Sequence, residues 1–285
     1  MILVFGKTGQ VAMELQTHKE VIALGREQAD LSNPRACAEA IKHSEPRGVI
    51  NAAAYTAVDK AESEENLANT INGDAPGAIA VACADLDIPF VHLSTDYVFD
   101  GSGTAPWSVT DAPNSKNAYG RSKLKGEQVI MASGCTYAIL RTSWVVSAHG
   151  NNFVKTMRRL SETRNRITVV DDQIGGPTCA RDIAQTCISV IEQLIKDPRK
   201  SGLYHYSGQP NVSWCQFANA IFEQIDCKTI ASPIPTKEYP TPATRPLNSQ
   251  LDCTVTQDIF GIARPFWRDG LEEILRDLED AHEKA

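Results

Sequence analysis

The sequence predicts an α/β fold in which a doubly wound parallel sheet is followed by a smaller C-terminal α/β lobe. Three observations carry this. Short, continuously apolar runs alternate with helical runs through the first half, the pattern of a parallel sheet covered on both faces. The first run, Ile2–Phe5, breaks at a glycine turn that opens a helix. Beyond about Ser147 prolines crowd the chain and the β-rich runs become short and irregular.

Taken in order, Ile2–Phe5 predicts a strand and Thr8–Gln16 a helix, with Glu20–Leu24 as the second strand. Asn33 is a side-chain cap and Pro34 suits the first helical position, which starts a helix running to about His43. Gly48–Ala53 is the third strand, Leu67–Ala84 one long helix and Pro89–Leu93 the fourth strand. Asn117–Ala132 is again helical and Tyr137–Arg141 is the fifth strand. In the second half Ile167–Val170 and Leu203–Tyr206 read as small strands, and Val190–Ile195, Trp214–Ile225 and Leu271–Glu283 as helices.

Composition narrows the function. The 285 residues carry 42% hydrophobic and 22% charged side chains, enough apolar material for a packed core. No apolar stretch reaches the roughly 18 residues of a membrane span, so no membrane partner is expected. Met1–Gly6 has no basic leader ahead of its apolar run and reads as a strand rather than a signal peptide. A formal charge of −7 argues against nucleic acid as a partner. The eight cysteines are scattered without C-x-x-C spacing, which predicts free, mostly buried thiols in a reducing, cytoplasmic setting.

Gly6-Lys7-Thr8-Gly9-Gln10-Val11-Ala12 links the first strand to the first helix. Gly6 and Gly9 permit a tight turn and let backbone N–H groups approach a pyrophosphate at the helix N-terminus, with Thr8, Gln10 and Val11 beside them. Spacing G-x-x-G-x-x-A in this position points to a dinucleotide, which makes residues 1–147 a Rossmann-type dinucleotide-binding domain. Residues 148–285 are then mainly a substrate-binding lobe, with segments near 178–200 able to return to the first domain. An NAD site places an acidic residue about 20 positions on; here stand Gly25 and Arg26. Arg26 can fork onto a 2′-phosphate, so NADPH is expected, with NADH tolerated less well.

Tyr119 and Lys123 form Y-x-x-x-K at the start of a helix, and a spacing of four puts both on one face. A nearby ammonium lowers a phenol from its ordinary value near 10 towards a range useful for proton transfer. Thr95 closes the fourth strand, after Leu93, where ligands of parallel sheets bind. Its hydroxyl can hydrogen-bond a carbonyl on which charge develops. Ala53 and Ala54 end the third strand with small residues that leave room for a cofactor.

These residues, with the segments FGKTGQV (5–11), ADLSNP (29–34), NAAAYTAVDKAE (51–62), STDYVFDG (94–101), NAYGRSKLKGE (117–127), RTSW (141–144), GNNFVKTM (150–157), DDQIGGPT (171–178) and PTPATRPLNSQL (240–251), resemble the extended short-chain dehydrogenase/reductases across essentially the whole chain. Within that family they look most like the branch that makes dTDP-rhamnose for polysaccharide biosynthesis. The resemblance implies NADPH-dependent reduction of the 4-keto group of dTDP-4-dehydro-6-deoxy-L-mannose, a small nucleotide-sugar partner. Tyr119 would be the proton donor, Lys123 its tuner and ribose ligand, and Thr95 the carbonyl ligand. The cofactor contacts it implies are Gly9, Gln10, Val11, Asp30, Leu31, Ala54, Tyr55, Thr56, Tyr119 and Lys123. Those to substrate are Thr95, Asp96 and Trp144, with Asn152 added from its segment. Arg245 and Asn248 are expected at the diphosphate or base, because Arg suits bidentate phosphate recognition.

Some members of that branch form a homodimer around Mg²⁺ held by carboxylates of both subunits. Glu14 matches one ligand, but Arg181 falls where a second carboxylate is wanted, and Mg²⁺ needs hard oxygen ligands. No metal is therefore expected, while a homodimer stays open. Rival readings are an epimerase or dehydratase of the same family, a reductase of another activated deoxysugar, and a non-catalytic regulatory subunit. Dehydration calls for Asp-Glu after the strand-end Thr, where this chain has Asp96-Tyr97. A regulatory relative typically lacks the Tyr or Lys retained here.

Overall fold

The computed structural model describes residues 1–283. In chain order the first half comprises β1 (Ile2–Phe5), α1 (Gln10–Leu15), β2 (Val21–Leu24), α2 (Pro34–Ser44), β3 (Val49–Asn51), α3 (Val58–Ala61), α4 (Glu65–Asn69), α5 (Ala75–Asp85), β4 (Phe90–Thr95), α6 (Ala118–Ala132) and β5 (Tyr137–Thr142). The second half adds β6 (Val145–Val146), α7 (Phe153–Ser161), β7 (Arg166–Val170), β8 (Ile174–Gly175), β9 (Thr178–Cys179), α8 (Ala180–Lys196), β10 (Gly202–His205), β11 (Val212–Ser213), α9 (Trp214–Gln224), β12 (Ile230–Ile234), β13 (Asn248–Ser249), α10 (Thr254–Phe260) and α11 (Trp267–Glu283). Among the described residues no helix is long and apolar enough to cross a membrane.

The main sheet has six strands in the order β10-β5-β4-β3-β1-β2, every neighbouring pair parallel. Alternate side chains feed two apolar layers. Ile2, Val4, Ile50, Val91 and Leu140 meet Val11 and Leu15 of α1 and Ile183, Cys187, Val190 and Ile191 of α8. Leu3, Phe5, Val49, Phe90 and Ile139 meet Ile41 of α2, Ile79 of α5 and Ile130 of α6. Strand order reverses between β1 and β3, and ligands of open α/β sheets bind at the carboxyl ends beside such a switch. After residue 147, α8 covers one face of this sheet and β10 pairs with β5 as its edge strand. The remainder packs around Val154, Met157, Val169, Phe217, Ile221, Trp267 and Leu271.

Several elements depart from expectation. The helix predicted over Leu67–Ala84 is interrupted by a π turn at Thr70–Asp74. Pro76 has no N–H to give the Asn72 carbonyl four residues back. That carbonyl instead faces Gly126, where any added Cβ would collide with it. The predicted Val190–Ile195 is only the second half of α8, whose first turns read as loop because Pro177 and Cys179 precede them without a side-chain cap. The first helix is shorter than Thr8–Gln16, since Gly9 is its N-cap. The Asn33 cap is present, accepting from the Ala36 N–H at 3.3 Å. All eight cysteines are free thiols, seven of them buried.

Candidate active site

Gly6 adopts φ +108, open to glycine alone among common residues, and its Cα passes against Ala52 and Ala53, where a Cβ would sit 3.2 to 3.3 Å from their atoms. A Cβ added at Gly9 would meet nothing nearer than the Ala52 carbonyl oxygen at 3.9 Å, so the backbone there stands open to a ligand. Two adjoining cavities meet at this turn. One, of about 790 Å³, is walled by Gly6, Arg26, Asp30, Leu31, Tyr55 and neighbours. The other, of about 660 Å³, is walled by Gln10, Val11, Leu93, Thr95, Asp96, Tyr119, Lys123, Thr142 and Trp144. Thr8, Gly9, Ala53, Ala54 and Thr56 line both. A continuous cleft therefore crosses the sheet's carboxyl edge at the switch point, with small residues at its waist. This shape suits a dinucleotide, whose pyrophosphate would lie over the glycine turn.

At the first cavity's outer end Arg26 is largely exposed and pairs with Asp30 at 3.2 Å. Asp30 also accepts from the Ser32 N–H at 2.8 Å, which is the main reason its carboxyl lies below the usual range. Tyr55 donates its hydroxyl to Glu64 at 2.7 Å, while its backbone is bracketed by the Asn72 amide.

The reacting end is assembled from the ends of β4 and β5 and the first turns of α6. Asn117 caps α6 by accepting from the Gly120 N–H at 2.8 Å, and Glu62 accepts from the Ala118 N–H at 2.8 Å. That turn carries Tyr119, packed edge-on against Tyr97 at 5.6 Å. Burial pushes the Tyr119 phenol well above its ordinary range; Asp96 and Tyr97 add to this and the Thr95 hydroxyl opposes it. Lys123 Nζ, one turn on and 2% exposed, lies 2.6 Å from the Leu93 carbonyl and 3.1 Å from His92 Nε2. Burial lowers Lys123 to about 8, with Glu127 pulling upward.

Thr95 donates to Asp96 Oδ1 at 3.1 Å and accepts from the Tyr97 N–H. The other Asp96 oxygen and the Thr142 hydroxyl are buried and have no hydrogen-bond partner among the described residues. Thr142 is the register partner of Thr95, so the two hydroxyls stand side by side on the cavity wall. Buried polar groups left without partners are costly, which marks both as ligand-facing. Burial raises Asp96 to about 6, opposed by the hydrogen bond from the Thr95 hydroxyl. Trp144 holds a left-handed φ of 49 and stacks on Trp214 at 3.6 Å, strain of the kind that gathers at binding sites.

Two expected substrate residues, Asn152 and Asn248, are placed off the cavity lining. Asn152 caps α7 through the Lys155 N–H and donates to Gln10 at 3.0 Å and the Ser147 carbonyl. Asn248 donates to the Ser102 and Ala105 carbonyls and accepts from the Gln250 N–H. Neither lines the cavity, because each side chain is used in joining loops. Arg245 pairs with Asp59 at 2.8 Å, which also accepts from the Ala243 N–H, and so pins the Pro-rich segment, with its guanidinium beside Tyr97 of the cavity wall. Glu14 lies against Arg181 at 3.3 Å, and the same guanidinium reaches Glu273 and Asp277.

Sequence reading missed the layer beneath the site. Arg141 forks onto Glu127 at 2.9 and 2.6 Å, both buried, and Ser94 donates to the same carboxylate. The one signal for it was Glu127 standing four residues after Lys123 on the same helix face. Thr142 lies in the RTSW segment, which gives it no role of its own, and nothing in the sequence marks His92.

A family model described as RmlD substrate binding domain matches residues 1–280. The chain belongs to this family. Relatives include the dTDP-4-dehydrorhamnose reductases of Shigella flexneri and Escherichia coli K12, each 40% identical, with 97% of this chain and 97% of the relative covered. The crystal structure of the dTDP-4-dehydrorhamnose reductase of Clostridium acetobutylicum superposes with TM-score 0.90 at 36% identity, covering 98% of this chain and 99% of that one. That of Bacillus anthracis, in complex with NADP, gives 0.89 at 34%, covering 97% and 98%. The Rossmann-like α/β architecture expected from sequence is shared with both.

Proposed function

We propose that this chain reduces the 4-keto group of dTDP-4-dehydro-6-deoxy-L-mannose with NADPH, forming dTDP-L-rhamnose. The observation that carries the reading is the meeting of Thr95, Tyr119 and Lys123 in one cavity with the Gly6–Gly9 turn. It agrees with the activity named for relatives at 40% identity and with the NADP bound to the Bacillus anthracis relative. When bound, the nicotinamide supplies the hydride. Gly6 and Gly9 let the backbone close on the pyrophosphate, and Arg26 holds the 2′-phosphate by exchanging its Asp30 partner for it. Thr95 hydrogen-bonds the keto oxygen. Tyr119 delivers its proton to the oxygen as negative charge builds there; a phenol raised by burial is a tightly held acid that yields its proton to a strongly basic alkoxide and not to water. Lys123 binds the ribose. Asp96 and Thr142, with unpartnered oxygens, bind the polar face of the sugar, and Trp144 supplies an aromatic wall. For the metal, Arg181 already neutralises Glu14, so we assign no Mg²⁺ there.

The test is loss of NADPH absorbance with the dTDP-4-keto sugar, followed by identification of the product. Tyr119→Phe is expected to lower kcat by roughly 10²- to 10⁴-fold; undiminished turnover in that variant would refute the assignment. Arg26→Ala is expected to raise KM for NADPH while leaving NADH nearly unchanged. Equal effects on both cofactors would show that Arg26 does not read the 2′-phosphate.

A further inference from the structure

The end of β2 stands directly beside the glycine turn. Leu24 pairs with Phe5 in the parallel register, and the Gly6 N–H donates to the Leu24 carbonyl at 3.0 Å. The next residue, Gly25, therefore occupies the place from which an acidic side chain reaches the adenosine ribose of NADH in a dinucleotide fold. Gly25 has no side chain to send there, and its φ is not left-handed, so the backbone makes no demand for glycine. What the missing side chain supplies is room. A Cβ added at Gly25 would fall 2.5 and 2.6 Å from the two carboxylate oxygens of Glu27. The carboxylate absent from position 25 is thus delivered to the same point from two residues further on.

The local chain explains the delivery. The Gly25 carbonyl accepts from the N–H groups of Gln28 and Ala29, each at 3.0 Å, and the Gly25 N–H donates to Gln28 Oε1 at 3.0 Å. This closed turn folds residue 27 back over residue 25. Of the neighbouring charges, Arg26 and Asp30 hold each other at 3.2 Å, and Asp30 also accepts from the Ser32 N–H. Glu27 is exposed and has neither an ion pair nor a hydrogen bond among the described residues, so its carboxylate is available to a ligand. Gly25, Arg26, Glu27 and Asp30 all line the cavity of about 790 Å³.

We propose that Glu27 is the ribose ligand of this chain for NADH, and that Arg26 and Glu27 together form a two-way selector at the end of β2. Glu27 takes this role in the dinucleotide site proposed above, on which the assignment rests. An unphosphorylated ribose offers two vicinal hydroxyls, and both can donate to the Glu27 carboxylate in charge-assisted hydrogen bonds. A 2′-phosphate removes one of these donors and brings negative charge against the carboxylate. Glu27, held by nothing else, then turns out to solvent while Arg26 releases Asp30 and forks onto the phosphate. Each cofactor thus meets one attractive side chain and displaces the other. Spacing alone stops at Gly25 and Arg26 and so shows only the NADPH half of the device.

The experiment is direct titration of the full chain with NADH and with NADPH, read by the fluorescence of the bound nicotinamide, with no substrate present. Glu27→Ala is expected to raise the Kd for NADH about tenfold or more, through loss of the charge-assisted hydrogen bonds. The same change should lower the Kd for NADPH by roughly 2- to 5-fold, because a like charge is removed. When Glu27→Ala is combined with Gly25→Asp, the carboxylate stands at position 25 itself, and NADH affinity should return. An NADH Kd unmoved by Glu27→Ala, or one that Gly25→Asp fails to bring back, would overturn the proposal. So would shifts of the same size and sign for both cofactors, or a wild type that binds NADPH and not NADH. Binding of neither cofactor by the wild type would instead overturn the dinucleotide site itself, and the role of Glu27 with it, so the two failures are told apart.

Discussion

At the scale of single residues the site is built from groups that the fold keeps uncomfortable. Asp96 is 2% exposed, keeps one oxygen without a partner and has its carboxyl raised to about 6. Between the ordinary carboxyl value near 4 and that of the folded state, the native protein binds the extra proton. Stability attributable to Asp96 is therefore present at low pH and falls as pH rises through this window. Asp96→Asn keeps an oxygen for the Thr95 hydroxyl and cannot ionise. We expect it to unfold at higher denaturant at pH 7 than the wild type, by about 1–3 kcal/mol, with the advantage shrinking at pH 4 and the KM for substrate rising. A variant no more stable at pH 7 would show that Asp96 is solvated in the native state.

Elements position these residues through their ends. The first turn of α6 is tied at both sides: Asn117 accepts from the Gly120 N–H and donates to the Thr244 carbonyl at 2.9 Å. Loss of such a cap costs about 1–2 kcal/mol. Asn117→Ala should therefore lower the urea midpoint and also reduce kcat, because the turn it anchors carries Tyr119. A stability loss with kcat intact would separate the cap from the chemistry. One turn deeper, the Glu127 carboxylate joins α6 to β4 and β5 through Ser94 and Arg141. Glu127→Ala leaves a buried guanidinium uncompensated, and we expect destabilisation of about 3–5 kcal/mol in denaturant unfolding. Glu127→Gln, which still hydrogen-bonds, should cost less.

For the whole molecule, the cleft takes its floor from the six-stranded sheet and one wall from the later chain, where Trp144 meets Trp214. A ligand that binds only the folded state adds RT ln(1 + [L]/Kd) to stability. NADPH at a hundredfold excess over its Kd should thus add about 2.7 kcal/mol, seen as a rise in Tm. The rise should be smaller in Arg26→Ala at the same concentration. Equal rises would place the 2′-phosphate away from Arg26.

The sequence by itself determined the alternating α/β order, the glycine turn at Gly6 and Gly9, the α6 start with its cap and the Tyr119–Lys123 pair. Each rests on local chemistry: apolar periodicity, φ > 0, a side-chain cap, a spacing of four. The family was legible for the same reason, since its motifs are short and contiguous. Only the tertiary structure decided what each group faces. Asn152 and Asn248 are chemically fit to bind a sugar, yet loop geometry uses their amides first. Arg245 is drawn to Asp59, a residue 186 positions earlier that spacing cannot pair with it. Burial, a property of the packed whole, raises Asp96 and Tyr119. It also places His92 beneath Lys123, 3.1 Å from its Nζ.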